Sequence, residues 1–358
     1  MEKYLFITPS LACGGAERAV ANLSSELAAQ GEDVTVLHYF TMPNEYPLDS
    51  RVKRINLSGG TEEVYNTLGY VQKIRMLRKL LRQQAPDYIF PFLPQVTIHA
   101  AIAGFDMRKR IIHTVRNNPA LTPENPVKRF LCNQIICHSW KTLAQNESQR
   151  SFYPRRCQNK IYVLFNPVAQ EMLEAGKISH EGGPRLIGVG RLNSQKNFPM
   201  LIRAMVPLLR EHPEASLEIY GEGELRDSLR EQIQTLGLSD SVRLMGRSSN
   251  MKAVYESADL FVLSSDFEGM PNTLIEAMAV GLPCISTDCE TGPRDLITDG
   301  EDGILVPVGG EEALTEAVMQ LLGDPERRER MGKRAKEKIR SLCAAEAIVR
   351  RLTEICHI

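Results

Sequence analysis

Leu260-Phe261-Val262-Leu263-Ser264-Ser265-Asp266-Phe267-Glu268-Gly269-Met270-Pro271-Asn272-Thr273-Leu274-Ile275-Glu276-Ala277-Met278-Ala279-Val280 decides the architecture. Four apolar residues bounded by polar ones read as a short strand buried on both faces. A polar turn through Gly269-Met270-Pro271 follows, and Pro271 suits the first turn of a helix continuing to Val280. The same strand-turn-helix sentence recurs along the chain. Candidate strands are Tyr4–Thr8, Val34–Tyr39, Tyr88–Phe92, Arg110–Val115, Ile135–His138 and Ile161–Leu164, then Leu186–Val189, Ser216–Tyr220, Val242–Met245, Leu260–Leu263, Cys284–Thr287 and Ile304–Val306. Helix-period stretches lie between them, at Glu17–Gln30, Tyr70–Gln84, Pro199–Glu211, Leu225–Leu236 and Pro271–Val280. This alternation predicts an α/β fold of βαβ units with helices on both faces of parallel sheets.

At 358 residues the chain is long for one domain. The pattern restarts near Leu186, after a polar, Gly-containing stretch from Val168 to Pro184. We therefore expect two doubly wound, Rossmann-like domains, 1–167 and 168–343, facing each other across a cleft. A final helix at about 344–358 is expected to pack back on the first. Composition is that of a globular protein, with 43% hydrophobic and 24% charged residues. No run of 18 apolar residues occurs, and Met1–Pro9 reads as a first strand rather than a signal peptide, so a cytoplasmic location is expected. Cys13, Cys132, Cys137, Cys157, Cys284, Cys289, Cys343 and Cys356 show neither C-x-x-C nor zinc-ligand spacing and read as small apolar residues of a reducing compartment. Charge divides unevenly: residues 1–167 hold 21 Lys and Arg against 13 Asp and Glu, and residues 168–358 hold 22 against 31. An anionic partner of the first half, or plain solvated surface charge, accounts for this equally well.

Chemistry concentrates at three turns. Glu276 sits among Leu274, Ile275, Ala277 and Met278, and burying a carboxylate there requires hydrogen-bond donors, such as the hydroxyls of a ribose. Asn272, Thr273 and Leu274 would aim their N–H groups at a phosphate from the same helix start. An exposed helix position for Glu276, and a dipole-capping loop carboxylate for Glu268, explain the same letters. Gly190-Arg191-Leu192-Asn193-Ser194-Gln195-Lys196 leaves a strand with two cations suited to a diphosphate. Gly14-Gly15 opens the first helix and permits close approach of an anion or a positive φ, although a plain strand-to-helix turn needs no more. It is neither a dinucleotide G-x-G-x-x-G nor a Walker A loop, which disfavours a nicotinamide oxidoreductase.

With these residues assembled, the chain resembles the retaining GT-B glycosyltransferases of family 4. The resemblance rests on the E-x7-E element Glu268…Glu276 within E-G-M-P-N-T-L-I-E-A-M-A-V-G-L-P. Gly14-Gly15-Ala16-Glu17, Asn166-Pro167, Gly190-Arg191 with Lys196, Gly221-Glu222-Gly223, Gly246-Arg247 and Gly292-Pro293-Arg294-Asp295 occur in the family's order. It implies a nucleotide-diphosphate sugar, with UDP preferred to GDP, held by the second domain. Arg191 and Lys196 would hold the diphosphate, Glu268 the transferred sugar and Glu276 the ribose. Met270 sits within the same donor-side turn, Arg247 would approach the base, and Gly14-Gly15 would close from the first domain. The resemblance also implies retention by front-face attack, with no protein nucleophile, no metal and no other cofactor.

The acceptor side follows more loosely. Relatives carry a histidine after the strand near Ile111–Val115; here the matching position is Arg116, His113 falls inside the strand, and Arg116 or Asn117 would face the acceptor. In Val71–Arg82, Ile74, Leu77, Leu80 and Leu81 share one helical face while Arg75, Arg78, Lys79 and Arg82 share another. An ordinary surface helix has this pattern, and so does a basic helix meeting an anionic membrane or a lipid diphosphate. A closer resemblance, to bacterial transferases that extend polyprenyl-diphosphate-linked oligosaccharides, favours the second. It implies addition of a hexose or N-acetylhexosamine to a lipid-linked or growing surface glycan (O-antigen, capsule or glycoprotein glycan) at the inner face of the membrane, without nucleic acid. A sugar-nucleotide epimerase or phosphorylase, or a non-catalytic sugar-nucleotide-binding subunit, are the alternative readings.

Overall fold

The computed structural model describes residues 1–12, 14–178 and 180–358; Cys13 lies outside them. The chain forms two units, Met1–Pro167 with Ala345–Ile358, and Val168–Ala344.

The first unit runs β1 (Lys3–Thr8), α1 (Gly15–Ala29), β2 (Asp33–His38), β3 (Lys53–Asn56), α2 (Glu62–Thr67), α3 (Tyr70–Gln84), β4 (Tyr88–Pro91), α4 (Pro94–Ala103), β5 (Ile112–Thr114), α5 (Pro126–His138), β6 (Lys141–Ala144), α6 (Glu147–Phe152), α7 (Arg155–Gln158) and β7 (Ile161–Val163). The second runs α8 (Gln170–Glu174), β8 (Arg185–Val189), α9 (Phe198–Glu211), β9 (Ser216–Tyr220), α10 (Arg226–Thr235), β10 (Val242–Gly246), α11 (Met251–Glu256), β11 (Leu260–Leu263), α12 (Asn272–Val280), β12 (Cys284–Thr287), α13 (Pro293–Leu296), β13 (Ile304–Val306), α14 (Glu311–Gly323) and α15 (Pro325–Cys343). The last helix, α16 (Ala345–His357), belongs to the first unit.

All ladders are parallel. Strand order is β3-β2-β1-β4 and β5-β6-β7 in the first unit, and β10-β9-β8-β11-β12-β13 in the second. Side-chain alternation along β1 places a separate core on each face of its sheet. Tyr4 and Phe6 join Val34 and Val36 against α1 and α16, whereas Leu5 and Ile7 join Leu37 and Leu77 on the α3–α4 side. In the second unit Leu186, Leu217, Ile219, Leu260 and Val262 meet Leu201, Met205, Leu208 and Leu314. Each such side chain contributes about 1.5–3 kcal/mol when removed from water.

Helix α16 is held at its end as well as along its apolar face. Lys141 donates to the carbonyls of Ile355 (2.6 Å) and Cys356 (2.9 Å), satisfying groups that a helix C-terminus leaves unpaired. This explains how a lysine opens strand β6.

The structure corrects the sequence reading at several places. Ile135–His138 is the last turn of α5, not a strand. Asn125 caps that helix, accepting from the N–H groups of Val127 and Lys128 (both 3.0 Å), and Pro126 sets its first turn. Cys132 and Ile136, four apart, then face inward together. The neighbouring strand is β6. The stretch read as a linker contains α8, whose Met172 and Leu173 are buried. Gly14 and Gly15 need no positive φ: Gly14 is the extended N-cap of α1 (φ −125°), and Gly15 begins the helix. The described cysteines are free thiols. Burial pushes Cys132 and Cys289 up to about 11 and Cys343 and Cys356 to about 12, so they behave as apolar groups.

Candidate active site

The loops leaving β8 and β11 meet at the carboxyl edge of the second sheet, where open α/β sheets bind ligands. Strand β8 is followed by Gly190-Arg191, and a single 3₁₀ turn, Ser194–Lys196, leads into α9. Its neighbour β9 is followed by Gly221, whose φ of +144° and position permit no side chain, because a Cβ there would collide with the Gly190 carbonyl. Backbone bonds from Leu192 N–H to Glu222 O (3.0 Å) and from Leu225 N–H to Leu192 O (3.0 Å) lock the two turns together.

The β8 turn is equally tied to the β11 turn. Asp266 N–H donates to Gln195 O (2.8 Å), the Gln195 amide to Phe267 O (2.8 Å), and the Ser264 hydroxyl to Lys196 O (2.8 Å). These bonds bring Lys196 to Glu268, 72 residues later. Its ammonium lies 2.5 Å from Glu268 Oε1, which also accepts from the Ser265 hydroxyl at 2.7 Å. The pair is nearly sealed, with side chains 14% and 7% exposed. An ammonium has three N–H donors, so Lys196 can hold Glu268 and still offer a proton to an anion. Arg191, by contrast, is exposed on the same turn.

Glu276 is buried on the first half of α12, and the phenol of buried Tyr255 donates to its Oε2 at 3.0 Å. One carboxylate oxygen is thus directed by the protein. A carboxylate has acceptor sites for further hydroxyl donors. Met270 is buried in the turn before α12, and the Thr273 hydroxyl is buried without a hydrogen-bond partner among the described residues. The N-terminal donors are fewer than the sequence suggested: Leu274 N–H already bonds Pro271 O at 3.1 Å, within the first turn of α12. The turn is supported from behind by Thr291, whose hydroxyl donates to Glu268 O, and by Gly292, which at φ +92° backs onto Gly269 O and Pro271. Arg247 follows β10 and is exposed.

Arg191, Lys196, Arg247, Glu268, Met270, Asn272, Thr273, Leu274 and Glu276 thus all belong to the second unit. Tyr255, Ser265 and Thr291 were missed by sequence reasoning; only the Ser264-Ser265 doublet at a strand end hinted at one of them.

Gly14, Gly15, Arg75, Arg78, Lys79, Arg82, Arg116 and Asn117 belong to the first unit. On α3 the cations have different duties. Arg78 donates to Ala103 O (2.8 Å) and pairs with Asp106 (3.1 Å), pinning α3 to the end of α4; Arg82 joins it at 3.3 Å. Arg75 and Lys79 face solvent. Arg116 lies over the Phe92 ring (4.1 Å to its centroid) and donates through Nη1 to Asn166 Oδ1 at 3.0 Å. Its Nε and Nη2 are buried with no acceptor among the described residues, and burial pushes its pKa down to about 9. The Asn117 side chain accepts from Asn118 N–H (2.8 Å). His113 lies inside β5 and is buried.

Two family models account for most of the chain. Glycosyltransferase Family 4 matches residues 13–171, and Glycosyl transferases group 1 matches residues 171–338. Among curated proteins, the chain is 29% identical over 344 residues to the GalNAc-alpha-(1->4)-GalNAc-alpha-(1->3)-diNAcBac-PP-undecaprenol alpha-1,4-N-acetyl-D-galactosaminyltransferase of Campylobacter jejuni, covering 94% of each. It is 28% identical over 363 residues to the N-acetylgalactosamine-N,N'-diacetylbacillosaminyl-diphospho-undecaprenol 4-alpha-N-acetylgalactosaminyltransferase of the same organism, covering 95% of this chain and 96% of the other. Among solved structures, Anabaena HepE in complex with UDP and glucose superimposes with a TM-score of 0.83 at 16% identity over 99% of both chains. Sucrose-phosphate synthase from Thermosynechococcus elongatus gives 0.84 at 19%, over 100% of this chain and 98% of that one. These likenesses establish the GT-B fold.

Proposed function

The chain is a family 4 glycosyltransferase, and from that premise we propose that it transfers a hexose or N-acetylhexosamine, with retention, from a UDP-sugar to a polyprenyl-diphosphate-linked or growing surface glycan. The observation that carries the reading is the buried Lys196–Glu268 pair beside exposed Arg191, at the strand edge where α12 also presents Tyr255-anchored Glu276. This is one cationic and one hydroxyl-accepting surface at a single sheet edge. The names of the two Campylobacter relatives support the acceptor class, and UDP in the HepE complex is compatible with the choice of nucleotide.

In this reading the diphosphate takes its donors from Arg191, Lys196 and the start of α12. Glu276 accepts from the ribose hydroxyls through the carboxylate that Tyr255 orients, and Arg247 approaches the base. Glu268 holds Lys196 in place and accepts from a hydroxyl of the transferred sugar. As the glycosidic bond breaks, negative charge grows on the β-phosphate, where Lys196 and Arg191 stabilise it. That oxygen takes the proton of the acceptor hydroxyl attacking the same face, so configuration is retained without a protein nucleophile. The two cations supply the charge stabilisation, and the proposal includes no metal. On the first unit, Arg116 and Asn117 serve the acceptor. Arg75 and Lys79, with Arg82 beside them, meet an anionic membrane surface. Among the described residues no helix is long and apolar enough to cross a membrane.

The test begins with thermal shift against UDP- and GDP-sugars, since a ligand bound only by the folded state raises stability. Transfer to a short polyprenyl-diphosphate disaccharide, read by the anomeric proton coupling of the product, follows. A UDP-sugar should stabilise and yield an α-linked product. Stabilisation by GDP-sugars alone, or inversion, would overturn the donor or the stereochemical assignment.

A further inference from the structure

We propose that the outer face of α3, α4 and α5 is a membrane-docking surface in which α5 enters the headgroup region of an anionic bilayer. The proposal rests on the peripheral membrane contact described above, and adds a second element to it.

Helix α5 is apolar on two opposite sides. Cys132 and Ile136 turn inward to the core. Val127, Phe130 and Leu131, at i, i+3 and i+4, form one stripe on the other side and are 66%, 61% and 46% exposed. Leu121, in the preceding loop, is 47% exposed. Arg129 holds that loop by donating to the carbonyls of Leu121 and Pro123 (both 3.2 Å). Exposed Ile102 lies on α4, which packs between α3 and α5, and exposed Phe105 lies just beyond it, under the Arg78 guanidinium. A surface helix has no need of a second apolar stripe, and large side chains grouped this way mark an interaction site.

Charge selects the occupant. Helix α3 carries Lys73, Arg75, Arg78, Lys79 and Arg82, and α5 carries Lys128 and Arg129, whereas α3, α4 and α5 contain no carboxylate. Asp106, the acidic residue just after α4, is occupied by Arg78 and Arg82. An apolar stripe set in a positive field matches apolar chains beneath negative headgroups. A second copy of the same positive face would meet it with repulsion.

Flotation with vesicles of phosphatidylglycerol and phosphatidylcholine, against phosphatidylcholine alone, tests this on the full chain. Wild type should float with the anionic vesicles. Phe130→Glu/Leu131→Glu should weaken binding at least ten-fold while leaving the UDP-induced thermal shift intact, which separates this proposal from the donor assignment and from misfolding. Phe130→Trp in a Trp140→Phe background, which leaves one tryptophan, should shift its emission to shorter wavelength as vesicles are added. Three results would overturn the proposal: wild type failing to float, the double variant floating as wild type does while Arg75→Glu/Lys79→Glu does not, or a concentration-dependent dimer in sedimentation that Phe130→Glu/Leu131→Glu abolishes, with no vesicle-induced emission shift. A wild type that floats but ignores UDP would count against the proposed donor instead.

Discussion

Replacing Lys196 by methionine removes the ammonium while keeping most of the aliphatic stem, and its consequences for folding and for chemistry separate cleanly. Glu268 would remain as a carboxylate 7% exposed, with the Ser265 hydroxyl at 2.7 Å as its remaining side-chain donor. Breaking a buried pair by deleting one partner costs about 3–5 kcal/mol. The Ser265 bond, worth about 1 kcal/mol, already exists and offsets none of this, whereas partial hydration through the 14% opening at Lys196 lowers the cost to ~2–4 kcal/mol. For a domain of this size each kcal/mol moves the midpoint by about 2–4 °C, so the second unit should melt about 5–15 °C lower. Lys196→Met/Glu268→Gln removes both charges and should return to within about 1 kcal/mol of wild type, giving a coupling of ~2 kcal/mol in the double-mutant cycle. Turnover should behave differently, falling ~10²-fold in the single variant and remaining low in the double, because the cation proposed to stabilise the leaving phosphate is absent from both. Calorimetry and initial rates on the same four proteins measure this. A coupling below about 0.5 kcal/mol would refute the structural pair, and a double variant that regains turnover would refute the catalytic charge.

Three further outcomes are expected. Tyr255→Phe should weaken UDP about ten- to a hundred-fold by calorimetry, the value of one buried hydrogen bond to a charged group, and should affect 2′,3′-dideoxy-UDP much less; equal losses for both would remove Glu276 from the ribose. Burial lowers His99 and His113 to about 4, so folding favours their neutral forms; their contribution is full above the unfolded value near 6.5 and is lost as pH falls toward 4. Denaturant titrations of wild type should therefore lose stability across that window, and His99→Gln should flatten the loss; an unchanged acid limb would contradict the assignment. Arg116→Met, which removes two buried nitrogens without acceptors among the described residues, should raise thermal stability while lowering transfer to the acceptor, and a destabilised, fully active variant would show that Arg116 is a packing residue.

Much of the candidate site was legible because its elements are local. Glu268, Pro271 and Glu276 lie within nine consecutive positions, and a strand, a turn and a helix start each leave short-range marks in the letters. That Arg191 and Lys196 share one turn after one strand was legible for the same reason. The misreading at Ile135–His138 shows the limit of that method. An apolar run at the end of a helix looks like a buried strand until the cap at Asn125 and the inward pair Cys132 and Ile136 are seen together. Strand β6 was hidden because its first residue is a lysine, whose ammonium is satisfied by carbonyls more than 200 residues away.

The sequence by itself determined the alternation of strands and helices, the βα turns where the candidate site residues gather, and the family those turns resemble. Periodicity, glycine and proline placement and capping act over a few residues, so they survive in the primary structure. Only the tertiary structure decided which of the charged residues in those turns are partners. Lys196 meets Glu268 across 72 residues, Tyr255 meets Glu276 across 21, and Arg78 is taken up by Asp106 while Arg75 is left to solvent. Hydrogen bonds and ion pairs act over a few ångströms of space, and sheet order, rather than chain order, sets which residues come that close.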